Sequence, residues 1–394
     1  MDMPTHAIRD KGRTERPDDR RAPGADGQHR GSASKRLRET REAQSSDDFC
    51  RVEDDQEIDV VNFNVAGGSK THKGNFKDET SDHLADNIIE SGAEVSTLQE
   101  VKVDDEMGDF NQEILTDLAE RQLPDGYTLD RAHPTYYDAE GNPTDDAENA
   151  ARITYTASYG DDAKSPARDG KPDDCAGGTR RGGKPTHDLI FEIEKETVDA
   201  PLESIRPGDH GRANATVYTS TLDGKPGYSV VFGSSNRHGT YGNAVVLAPG
   251  CELARDAQGN PAVRQQLLGQ DPDDGERRTA IGVSFTTPDG NQAHAVSTHM
   301  TNQKDDDITR LVAIDEQYIS LRKFSESFGE NLIVGGDFNS TPGEQDFPTA
   351  GELGLNTAGF DGIDHILSDG NIDHADKKGK GGSDHELTVA EVTI

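Results

Sequence analysis

What most constrains the fold of this chain is a series of short apolar runs, each closing on a polar or charged residue. Ile58-Asp59-Val60-Val61-Asn62-Phe63-Asn64-Val65 is one. Residues 94–98 lead into Gln99-Glu100, residues 293–297 into Thr298-His299, and residues 332–335 into Gly336-Asp337-Phe338-Asn339. Runs of four to eight residues rich in Val and Ile read as buried strands, too short for core helices. Further strands are predicted over 188–193, 228–232, 244–247, 280–285, 362–367 and 387–393. Helical spacing of apolar residues predicts helices over 80–91 (Leu84, Ile88, Ile89), 106–122 (Ile114, Leu115, Leu118) and 307–328 (Leu311, Ile314, Ile319, Leu321). Many strands with few helices, in mixed order, predict an α/β sandwich. No repeat of fixed period is present.

Two segments stand outside this texture. Residues 1–50 hold 11 Lys+Arg and 10 Asp+Glu with almost no apolar side chains, and read as a disordered tail. Residues 138–186, dense in Asp, Gly, Pro and Lys, read as a long insertion in a domain spanning 57–394. Arg180, Arg181 and Lys184 within it read as solvated rather than phosphate-binding.

The charge is very uneven. The 394 residues carry a formal net charge of −34, and residues 51–394 hold 30 Lys+Arg against 65 Asp+Glu. That argues against a protein that coats DNA through clustered cations; it suits a strongly hydrated, salt-tolerant surface. No apolar run approaches the roughly 18 residues of a membrane span, and no N-terminal apolar core of a signal peptide is seen. The expected location is cytoplasmic by default, with unconventional export as the alternative, and the expected state a monomer. Cys50, Cys175 and Cys251 form no metal pattern. A Cys175–Cys251 bridge and three unpaired thiols are equally compatible with the sequence.

Strand ends converge at one edge of a sheet, so Asn64, Glu100, His299, Asp337, Asn339 and the later Asp364-His365 and Ser383-Asp384-His385 are expected to form one site. Glu100 with Asp384 and Asn64 offers hard oxygen ligands that suit Mg²⁺, which takes few carboxylates and keeps several waters. A His beside an Asp accepts a proton from water while the Asp fixes its tautomer. Asp337 and Asn339, two apart, project to the same side of an extended chain. The inventory is that of phosphate-ester hydrolysis.

NFNVAG (62–67), LQEV (98–101), RHGTYGNAVVL (237–247), STHM (297–300), GGDFNS (335–340), IDHIL (363–367) and GSDHEL (382–387) occur in that order. With them the chain resembles the endonuclease/exonuclease/phosphatase superfamily, whose members include DNase I-like nucleases, abasic-site endonucleases, neutral sphingomyelinases and inositol polyphosphate 5-phosphatases. The resemblance implies a four-layer α/β sandwich, two packed mixed sheets flanked by helices, and a divalent-metal phosphoesterase using Mg²⁺, with Mn²⁺ or Ca²⁺ as alternatives. It implies metal-side roles for Glu100, Asp384 and Asn64, and water- and phosphate-positioning roles for Asp337 and Asn339. His385 is then the base, Asp364 its partner, and His299 the leaving-group histidine. Arg237, Tyr241 and Asn243 match a middle motif with a supporting role. Where relatives often have Pro after SDH, Glu386-Leu387 follows here.

Nucleic acid is the expected substrate, and a phospholipid or inositol phosphate the alternative. No aromatic-rich hairpin for membrane docking is evident. A non-catalytic binding protein with this fold is the third reading, disfavoured because every key position is filled.

Overall fold

The computed structural model describes residues 56–66, 78–104, 108–147, 149–160, 187–200, 214–236, 239–273, 275–302, 308–341, 353–358 and 362–394. Two sheets pack face to face, and the chain folds as a four-layer α/β sandwich.

The first sheet has thirteen strands. Third from one edge, Glu57–Asn64 runs parallel to Val95–Asp104 and antiparallel to the C-terminal strand Leu387–Thr393. Asn371–Lys378 closes that edge, and Tyr241–Leu247, Lys225–Ser234, Ala215–Leu222, Leu189–Val198 and Arg152–Tyr159 continue the sheet on the other side. The second sheet, of seven strands, is built on Arg277–Thr286, Gln292–His299, Leu332–Asp337 and Asp364–Ser368.

The sandwich follows from where the apolar side chains fall. Val60, Val95, Val245, Ile281, Val283 and Ile333 interlock between the sheets. The outer face of the first sheet carries Phe63, Leu98 and Phe232 under the helices Asp78–Ser91 and Phe110–Gln122. The second helix starts at Phe110 because Asp109 caps it, its carboxylate accepting from Asn111 N, which satisfies an otherwise orphaned helix N–H. Gly108–Asp109, inside the span expected to be helical, instead pairs with Val103 and Asp104. The helix Ile308–Glu326 covers the second sheet with Ile314, Leu321 and Phe324.

Within the stretch 138–186, Arg152–Tyr159 is a full strand of the first sheet, and Pro143–Thr144 pairs with Thr135–Tyr137. Residues 161–186 lie outside the described residues, as do the 1–50 tail and Arg180, Arg181 and Lys184. Cys251 is a buried free thiol, pushed up to about 12 by burial and the Glu94 charge; Cys50 and Cys175 are outside the described residues.

Beneath the site the sheets are joined by polar groups as well as apolar ones. Asn62 Nδ2 donates to the Gly336 carbonyl at 3.2 Å, and Asn62 Oδ1 accepts from Thr97 Oγ1 at 2.8 Å and Gln99 Nε2 at 2.9 Å. Ser297 Oγ, near Gln99 Nε2, donates to the Leu98 carbonyl at 2.7 Å. Asn62, Thr97, Gln99 and Ser297 are fully buried, and buried polar groups hold a fixed arrangement when they are paired.

Candidate active site

Register sets the site. His299 pairs with Asp337 across parallel strands, and Asp337 pairs with Asp364 across antiparallel ones, so three polar residues stand abreast at one end of the second sheet. From the facing sheet come Asn64, the last residue of its strand, and Glu100, midway along Val95–Asp104, a strand that runs on past its predicted end at Leu98. His385 arrives from the turn before the last strand, held by its own N–H to Ser383 Oγ at 3.1 Å, while that hydroxyl donates to the Asn64 carbonyl at 2.7 Å.

Backbone conformation sharpens the aim. Ala66, Glu100 and Asn339 have left-handed φ of +48°, +57° and +53°. Such values are uncommon outside glycine and are held where the surroundings over-determine them.

Two asparagines brace the carboxylates, Asn64 fully buried beneath the cavity and Asn339 in its wall. Asn64 Nδ2 donates to Glu100 Oε1 at 3.1 Å and to Asp337 Oδ2 at 2.9 Å, while Asn64 Oδ1 accepts from Ala66 N. Asn64, expected as an oxygen ligand, thus turns its amide N–H toward the carboxylates. Asn339 N donates to Asp337 Oδ1, and its side-chain amide donates to the Met300 carbonyl at 2.9 Å.

Above them opens a cavity of about 620 Å³, lined among others by Glu100, Tyr241, His299, Asp364, Asp384 and His385. His385 Nδ1 lies 2.9 Å from Asp364 Oδ2, leaving Nε2 facing Asp337 Oδ2 at 3.7 Å and Asp384 Oδ1 at 3.8 Å. His299 Nε2 is 3.5 Å from Asp337 Oδ2 and 3.9 Å from Glu100 Oε1. Asp384 is mostly exposed at the rim. Asn243 is buried away from the cavity wall and donates to the Thr279 carbonyl at 2.9 Å, tying the two sheets together. Arg237 lies outside the described residues.

The sequence did not single out Arg278. Its guanidinium is buried 3.4 Å from His299 Nδ1 and within 3.5 Å of Asp271 and Glu276 carboxylates. Arg310 joins the same Asp271 at 3.6 Å and also pairs with Asp273. Only the position of Arg278, ahead of an apolar strand, hinted at it.

These contacts decide the charges. Burial, then the neighbouring Asp364 charge, pushes the Asp337 carboxyl up to about 7. Burial works against a charged His385, but the bond and charge of Asp364, with Asp337 and Asp384, outweigh it and hold the ring up at about 9. His299 is kept far below the usual histidine range by burial foremost, then by the Arg278 and His385 charges. Burial and the nearby Glu100 keep the Tyr241 phenol protonated far beyond its usual range.

Donor atoms of Glu100, Asp337 and His385 lie within 4.8 Å of one another, the one such metal-holding group among the described residues. The set fits a hard divalent cation: two carboxylates converge with an imidazole, and one of them is pushed up to about 7 by burial and the Asp364 charge, a cost that a cation would offset.

The family model for the endonuclease/exonuclease/phosphatase family matches residues 61–385. The chain belongs to this family. Its members hydrolyse phosphate esters, and many use divalent metals. No curated protein sequence matches the chain. Among solved structures it is similar to an endonuclease/exonuclease/phosphatase from Bacteroides vulgatus (12% identity, 86% of this chain and 98% of that chain, TM-score 0.45). It is also similar to the human Nocturnin catalytic domain with bound sulfate (14%, 86% and 96%, 0.43) and to a humanized D. rerio TDP2 (11%, 86% and 99%, 0.40). No helix among the described residues is long and apolar enough to cross a membrane.

Proposed function

We propose that this family member is a divalent-metal-dependent phosphodiesterase acting on nucleic acid, a DNase I-like nuclease. One observation carries the reading: residues from both sheets meet in one cavity as two carboxylates and two oppositely biased imidazoles.

Glu100 and Asp337 would hold the cation, with His385 Nε2 and the rim carboxylate of Asp384 beside it. When bound, the ion supplies positive charge that neutralises the phosphate and stabilises the leaving oxygen. The chain's own residues do the rest. Beside a bound cation His385 would lose the second proton that it holds in the metal-free protein; with its Nδ1–H donated to Asp364, it then presents Nε2 to take a proton from the attacking water. Asp337, fixed by Asn64 and by the Asn339 N–H, orients that water. As the water oxygen bonds to phosphorus, the ester P–O bond breaks on the His299 side. His299 is neutral and offers an N–H to the leaving oxygen, and Arg278 beside it takes a non-bridging oxygen. Tyr241 supports Glu100 by hydrogen bonding.

The test is nicking of supercoiled plasmid by the purified protein with Mg²⁺, against excess EDTA, with His299→Ala and His385→Ala alongside. Sphingomyelin and a phosphoinositide run in parallel. Metal-dependent nicking that each substitution cuts by about 10²–10⁴-fold supports the reading. Turnover of a lipid or inositol phosphate alone moves the substrate, and a folded, Mg²⁺-binding protein that turns over nothing is a binding module.

A further inference from the structure

The catalytic cavity has a cationic side that the chemistry above does not use. In the sequence Asp376-Lys377-Lys378-Gly379-Lys380-Gly381-Gly382-Ser383-Asp384-His385, three lysines precede the base in a body where acids outnumber bases by more than two to one. The strand Asn371–Lys378 alternates its side chains. Lys377 enters the catalytic cavity, whereas Lys378 lines a separate cavity on the other face, ion-paired to Asp376 at 2.9 Å. Lys380 returns to the catalytic cavity, its ammonium 2.6 Å from the Asp384 carbonyl. The Lys377 ammonium lies close over the Gly362 backbone, where an added methyl would meet it at 2.8 Å, and 3.4 Å from the half-exposed Glu386 carboxylate.

Both lysines are therefore anchored on the residues flanking His385, while Arg278 stands at His299. A single phosphate centred between the histidines has Arg278 as its cation. The cavity, about 620 Å³, is far larger than one phosphate needs, and lies in the range of about 300–1,000 Å³ that accommodates whole small-molecule ligands. Carboxylates dominate its wall, so a second anion would be repelled unless cations were placed to receive it. The Lys377–Glu386 pair is exposed enough to be worth little and to give way to a phosphate.

We propose that Lys377 and Lys380 form a second anion subsite that binds a further phosphate group of the substrate, beside the ester being cleaved. The proposal rests on the phosphoesterase reading for what lies next to it. The second phosphate is a terminal monoester or the flanking diester of a strand, and the test separates the two.

Binding is measured by calorimetry with Mg²⁺ present, using thymidine 5′-monophosphate, thymidine 3′,5′-bisphosphate and the bisphosphate with its 3′-phosphate methyl-esterified. The wild-type protein is compared with Lys377→Gln/Lys380→Gln and with Lys378→Gln, which removes the same kind of charge from the opposite face. The bisphosphate binds the wild type about tenfold more tightly than the monophosphate, a modest sum for charge-assisted bonds at a half-exposed site. The double variant loses that advantage and Lys378→Gln keeps it. An advantage that survives methylation assigns the flanking diester; one that disappears assigns the terminal monoester. Equal binding of mono- and bisphosphate by the wild type, no binding of either, or an advantage kept by the double variant each overturns the subsite. Plasmid nicking is run on the same wild-type sample. Its failure with the binding pattern intact overturns the phosphoesterase reading and leaves the subsite standing.

Discussion

Asn64 and Asp337, 273 residues apart in the chain, are joined by a 2.9 Å hydrogen bond that crosses from one sheet to the other. The same Asn64 amide reaches Glu100, so one NH₂ group holds two carboxylates that would otherwise repel. Asn64→Ala and Asn64→Asp both remove this clamp. We expect each to weaken Mg²⁺ binding or turnover by about 10–100-fold, as loss of an orienting group does at metal sites. Direct Mg²⁺ titration and kcat/KM measure it. Wild-type values in Asn64→Asp would mean that the amide does not order the carboxylates.

Metal binding should release protons. In EDTA-treated protein Asp337 titrates near 7, raised by burial and by Asp364, so below that pH it is largely protonated and a cation must displace the proton. Calorimetry at pH 6 in buffers of different ionisation enthalpy should give apparent enthalpies that vary with the buffer, an effect fading only above about pH 9, once His385 as well as Asp337 has lost its proton. Buffer-independent enthalpies at pH 6 would contradict the assignment.

His385 gives a stability signature of its own. Its folded value, about 9 without metal, exceeds the ordinary histidine value of 6.5 because the bond and charge of Asp364 outweigh the burial that opposes its charge. Charged His385 therefore stabilises the fold fully below about 6.5, and the contribution fades as pH rises through about 9. In EDTA, Asp364→Asn should bring the His385 resonance titration below 9, and should flatten the part of the urea-unfolding pH profile between 6.5 and 9. An unchanged NMR titration in that variant would discard Asp364 as the cause.

The sheet interface has little spare room under the site. A methyl group at Gly335 would sit 1.8 Å from Thr97 Oγ1. Gly335→Ala should cost about 1–3 kcal/mol or more in urea unfolding, the scale of overpacking a core. Thr97→Ala in the same protein should recover part of it, short of the bond to Asn62 that it gives up. Full stability in Gly335→Ala would mean that the sheets separate more readily than their packing indicates.

The acidic body predicts a salt response. With 65 Asp+Glu against 30 Lys+Arg after residue 50, self-repulsion is strongest at low ionic strength. The thermal midpoint should climb between about 0.05 and 1 M NaCl, where the Debye length shrinks from over 10 Å to about 3 Å. A midpoint independent of salt would show the charges to be too far apart to matter.

The sequence displayed what is local and apolar. Leu387–Thr393 and the first strand could be read because most of their buried positions are apolar, Ile58, Val60, Phe63, Leu387 and Val392 among them. Arg152–Tyr159 and Val263–Gln270 were not, because strand positions there carry Arg, Thr and Gln among few apolar residues. Asn371–Lys378 is a largely exposed edge strand with no apolar alternation to find. The site shows the same division. Glu100, His299, Asp337 and His385 stand in recognisable words, His299 and Asp337 as the last residues of their strands. Arg278 and Lys377 reach the cavity through pairing with the adjacent strand of the chain, Arg278 opposite Gly269 and Lys377 opposite Thr388, and nothing in their immediate neighbours announces it.

One feature of the sandwich reaches beyond chemistry. Glu100 and Asn64 belong to one sheet, Asp337 and His299 to the other, so the gap between the sheets sets the gap between their reactive atoms. The site therefore works as a caliper whose jaws are the sheets. Any agent that parts them slightly, whether warming, pressure or mild denaturant, should dim activity while spectroscopy still reports a folded protein. The rate of hydrolysis thereby becomes the most sensitive ruler of how closely the two halves are held.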